Sequence, residues 1–131
     1  MQPINTVMKI NEIETPANIL ITIPATISWE DYEKELAAVA DHSQVMRFKV
    51  ARLPTRNVIG GRCYLCYQGH IIGWMKIVGT HSGEFTCSTT GQQWSGDFIE
   101  RSGPFNRLVK AVPHKGFQGW RYFSAMETDR E

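Results

Sequence analysis

The chain has 131 residues, 42% of them hydrophobic and 21% charged, and its 14 basic and 13 acidic residues leave a net charge of +1. That is the make-up of one globular domain, long enough to bury a core without metal or disulfides. It excludes recognition of an anionic partner by bulk charge alone, a disulfide framework, since the cysteines number three, and a membrane helix, since no apolar run approaches the roughly 20 residues one needs.

The amino terminus, MQPINTVMKINEIETP, has no basic region followed by an apolar stretch. No secretory signal is read there, and a cytoplasmic location is expected. One domain spanning 1–131 is expected, with residues 1–15 and 124–131 as flexible ends.

The first element is a strand, NILITIP, residues 18 to 24. Its β-branched Ile19, Ile21 and Ile23 share one face, and Pro24 ends the ladder. A helix is expected over 29–40. Ser28 precedes it, with Asp31 three residues later in a capping-box arrangement. Trp29, Tyr32, Leu36, Val39 and Ala40 recur at helical spacing, while Glu30, Glu33, Lys34 and Glu35 face water. A second strand follows, in which Met46, Phe48 and Val50 alternate with Arg47 and Lys49.

RCYLCYQGH, residues 62 to 70, poses a choice between a zinc knuckle and a strand. Tyr64 and Leu65, between the two cysteines, are strand formers rather than turn residues. In a strand Cys63 and Cys66 point to opposite faces and do not share an ion. The turn signal comes later, at Gln68-Gly69-His70, and IIGWMKIVG is the return strand of a hairpin. No metal site is expected, and no cofactor motif is present.

Beyond the hairpin, residues 84 to 88 are expected as a short strand, TTGQQWSGDFIERSGP as a long loop, and FNRLVKAV as another strand. The aromatic stretch HKGFQGWRYF closes the chain. About six short strands and one helix predict an α+β, mainly β fold: a small antiparallel pseudo-barrel with one principal helix near residues 29–40.

The stretch VIGGRCYLCYQGHIIGWMKIVG resembles the central hairpin of the PUA-like superfamily, which includes the PUA, ASCH, EVE and YTH domains. The residues that carry the resemblance are Gly61, Arg62, the Tyr64–Tyr67 strand, Gly69, Gly73 and Val78. The resemblance implies a curled sheet with a cleft that binds RNA or DNA, sometimes a modified base. Some ASCH members are small amidohydrolases using a Lys, a Thr and a Glu. That triad has no residue-by-residue counterpart here, and neither has the aromatic cage of YTH domains.

Charge distribution and aromatic residues point the same way. Acids concentrate in residues 9–41, whereas basic residues dominate from Arg47 to Arg121, opposed only by Glu84, Asp97 and Glu100. Arg47, Lys49, Arg52, Arg56 and Arg62 are expected to form a phosphate-holding face. Trp94, with Arg101, and Trp120 and Tyr122, next to Arg121 in the sequence, are the stacking candidates; for Trp120 and Tyr122 the first reading is large rings that fill the barrel interior. In the closing strand, Phe117, Arg121 and Phe123 are expected on one side, Trp120 and Tyr122 on the other.

The leading expectation is a nucleic-acid or nucleotide-binding module, with a modified base as one candidate ligand. A second is a small hydrolase or transferase acting on a nucleotide or modified nucleoside, with Asp97, Glu100 and one histidine moving protons. A third is an inhibitor module that offers the acidic helix 29–40 to a protein partner.

Overall fold

Strand β1 (Asn18–Thr22) lies inside the sheet and is buried on both faces. A computed structural model describes residues 16–86 and 91–123; the expected flexible ends lie outside the described residues. β1 runs parallel to β3 (Arg62–Tyr67), with Ile19 beside Cys63 and Ile21 beside Leu65, and antiparallel to β6 (Trp120–Phe123). The other strands are β2 (Met46–Val50), β4 (His70–Thr86) and β5 (Gln93–Pro113). They join in the order β2-β5-β4-β3-β1-β6, a curled mixed sheet that forms a half-barrel. The fold is therefore mainly β with one short helix, as expected, except that the β1–β3 pair is parallel. That pairing needs a long crossover, which the helix, β2 and the loop before β3 supply.

Helix α1 (Trp29–Ala38) begins where the capping pattern places it: Ser28 Oγ accepts from the Asp31 N–H at 3.0 Å. Its Tyr32 and Leu36, with Val39 just beyond, pack on Ile19, Ile21, Cys63, Leu65, Met75, Ile77 and Ile99. This is the larger core, on the helix side of the sheet. A smaller core on the far side gathers Leu20, Tyr64, Cys66 and Ile71, flanked by Trp74, Phe117 and Phe123. Cys63 and Cys66 thus face opposite cores, as strand alternation requires. The β3–β4 turn is the expected one: Tyr67 pairs with His70 around Gln68 and Gly69, both at positive φ.

The long loop expected over TTGQQWSGDFIERSGP is corrected by the structure. From Gln93 onward it is strand, the first half of β5, which pairs with β4 from Thr86↔Gln93 to His70↔Pro113. Gly96, Gly103 and Pro104 read as loop punctuation, but here they sit within a bent ladder. Register shifts fall between Ile71 and Gly73, Trp74 and Lys76, and Ile77 and Gly79. Such bulges bend a strand without ending it. Gly103 takes φ +90°, and its N–H donates to the Val39 carbonyl at 2.9 Å. Ser102 Oγ donates to the Gln44 carbonyl at 2.6 Å. The bend therefore tethers the carboxy-terminal end of α1 to β5.

Candidate nucleic-acid interface

β2 and β6 are the two edges of the sheet. The segment leaving β2 reaches across to β6. Two residues past the end of β2, the Arg52 carbonyl accepts from the Trp120 indole N–H at 3.2 Å. Further on, the Arg56 N–H donates to the Tyr122 hydroxyl at 3.0 Å, and the Asn57 carbonyl accepts from the Ala17 N–H at 2.8 Å. Residues 51–57 form a strap that closes the open side of the half-barrel.

The strap brings four of the expected site residues together. The Arg52 guanidinium lies over the Trp120 ring at 5.7 Å, and that of Arg56 over the Tyr122 ring at 5.1 Å. The two rings meet edge to face, with centroids 4.9 Å apart and planes at 83°. Alternation along β6 puts both on the helix side, where Trp120 packs against the larger core. Tyr122 remains 37% exposed. Desolvation raises the pKa of its phenol, but the Arg56 N–H, Thr55 and the Arg56 charge outweigh that and leave it below its usual value. Beside this cluster is a cleft of about 280 Å³, lined by residues 53–57 of the strap, by Val58 and Ile59 just after it, and by Thr80 of β4. Arg56 belongs to both the cleft and the ring cluster.

The remaining basic residues do not form one face with these. Met46, Phe48 and Val50 pack on the helix side, so Arg47 and Lys49 project from the far side. Arg47 forms an ion pair with Glu100 at 3.0 Å. Arg62 is also on the far side, over Trp74 at 4.1 Å and donating to the Tyr64 hydroxyl at 3.0 Å. Arg121 lies over Phe117 at 4.2 Å, apart from Trp120 and Tyr122, as alternation predicts.

Arg101 is the clearest departure from expectation. It is 3% exposed, its guanidinium donates to the Tyr32 hydroxyl at 2.9 Å, and it is removed from any phosphate. Trp94 stands alone among the stacking candidates: it is 40% exposed near the β4–β5 tip, opposite Phe85, and away from Arg101. Asp97 and Glu100 lie three apart on a regular stretch of β5, so they project to opposite faces. Asp97 accepts from Ser82 Oγ at 2.7 Å, and Glu100 is engaged by Arg47. The structure does not bring the two carboxylates together.

Sequence reasoning passed over the strap residues Thr55 and Asn57, Thr80, and the contact of the Arg107 guanidinium over the Trp29 ring at 5.5 Å. The run TRNVIGG between two strands was the available signal for the strap. Among the described residues, no group of three or more His, Cys, Asp or Glu side chains is placed to hold a metal ion. No described helix is long and apolar enough to cross a membrane. Comparison with protein-family models, curated proteins and solved structures finds no match to this chain.

Proposed function

We propose that this chain is a nucleic-acid or nucleotide-binding module of PUA-like type. Its contact surface is the strap with Trp120 and Tyr122. The observation that carries the proposal is the pairing of Arg52 with Trp120 and of Arg56 with Tyr122, with Arg56 also lining a cleft. Aromatic rings offer a base a stacking surface, and guanidinium groups offer its phosphate a charged donor pair. A protein of net charge +1 gains little attraction at a distance, so local placement of these groups has to supply the affinity.

The test is fluorescence polarisation of the protein with labelled single-stranded and double-stranded DNA and RNA, at about 50 and 200 mM salt. Binding that weakens with salt, and weakens further in the double variant Arg52→Gln/Arg56→Gln, supports the reading. Absence of binding to all four ligands at low salt overturns it.

A further inference from the structure

Both aromatic rings of the site already carry a cation. Arg52 lies over Trp120 and Arg56 over Tyr122. A base that stacks on the face an arginine covers displaces a guanidinium held there by a cation–π contact. The displaced guanidinium then needs a new anionic partner close by. A phosphate linked to the incoming base through its sugar supplies one; a bare nucleoside supplies none.

The rings also stand at 83° to each other, and Trp120 is half-buried. They form a recessed corner rather than an open platform. In a duplex the base faces are stacked on their neighbours and cannot enter such a corner, whereas unpaired bases can turn their faces into it.

Resting on the reading above, we infer that the ligand class is an unpaired base carrying a phosphate, recognised by exchange. Arg52 and Arg56 leave their rings for the phosphate as the base takes their place. Single-stranded nucleic acid and free nucleotides share this chemistry; duplexes and free nucleosides lack part of it. The exchange moves side chains that the strap carries, so the Trp120 indole changes surroundings on binding while the sheet beneath it stays in place.

Competition against a short labelled single strand tests the inference, with four competitors: the same strand unlabelled, its duplex, a nucleoside monophosphate and the matching nucleoside. The duplex is expected to compete at least about tenfold more weakly than the strand, the range that losing one stacking contact spans, and the nucleoside at least about tenfold more weakly than the nucleotide, the range that losing a hydrogen bond to a charged group spans. If only the strand competes, the source is nucleic acid; if the mononucleotide competes as well, it is free nucleotide. A duplex that competes as strongly as the strand, or a nucleoside that itself competes and does so as strongly as its nucleotide, overturns the exchange but leaves nucleic-acid or nucleotide binding standing. A labelled strand that does not bind at all overturns both. Tryptophan emission separates the site from others: the change on binding is expected to vanish in Trp120→Phe and persist in Trp94→Phe. The reverse result overturns the assignment.

Discussion

Arg101 on β5 and Tyr32 on α1 meet inside the larger core, guanidinium to hydroxyl at 2.9 Å, and no carboxylate among the described residues pairs with Arg101. Its Nε has no hydrogen-bond partner among the described residues. Cys63 lies beside it. A buried charge with so few partners is a weak point, because taking a cation out of water costs several kcal/mol unless its donors are satisfied. Tyr32→Phe keeps the ring and removes the acceptor, so it is expected to destabilise the protein by about 1–3 kcal/mol in urea unfolding. Arg101→Met removes the charge and keeps much of the volume. It is expected to cost less than Tyr32→Phe and to leave ligand affinity unchanged.

The thiol of Cys63 links stability to alkaline pH. Burial pushes it up to about 11 from its ordinary 9.0, although the Arg101 guanidinium pulls the other way. A raised acid pKa means that the folded state holds the proton more tightly than the unfolded one. The contribution is therefore fully present below about pH 9 and is lost as the pH rises toward about 11. Unfolding free energy measured between those limits is expected to fall more steeply for the native protein than for Cys63→Ala. Parallel slopes would show that Cys63 does not titrate differently in the two states.

Ser28 is the amino-terminal cap of α1, and its side chain satisfies the Asp31 N–H. Ser28→Ala is expected to cost about 0.5–2 kcal/mol. The denaturation midpoint should drop with no change in the slope of the transition, because the folded and unfolded states differ by the same exposed surface.

Gly61 sits where β3 passes closest to the chain entering β1. A Cβ there would run into the Ala17 carbonyl oxygen, which is backbone and has no side chain to swing aside. Gly61→Ala is expected to destabilise by about 1–3 kcal/mol by prying the parallel pair apart. Hydrogen exchange should speed up at the amides of β1 and β3 before those of the β4–β5 hairpin.

Where local rules suffice, the sequence was readable. The alternation of Ile19, Ile21 and Ile23, the Ser28 cap, the Gln68-Gly69 turn and the opposed faces of Cys63 and Cys66 all follow from periods of two and 3.6 and from turn chemistry. The split of Trp120 and Tyr122 from Arg121 follows from the same period of two. The β4–β5 hairpin failed by those rules. Glycines at 96 and 103 and the proline at 104 signal a loop when read alone, and only the partner strand, bulged to match, makes them part of a ladder.

The sequence by itself determined β1, α1, β2, the turn between β3 and β4, and which residues share a strand face, because each depends on neighbours a few positions away. The tertiary structure decided which arginines meet which rings. Arg47, Lys49 and Arg62 lie close to Arg52 and Arg56 along the chain, yet they face the far side of the sheet, while Trp120 and Tyr122 come to Arg52 and Arg56 from 66 to 68 residues away. Curling the sheet brings its two edges within reach of one strap, and that closure, like the burial of Arg101 under Tyr32, is a property of the packed whole.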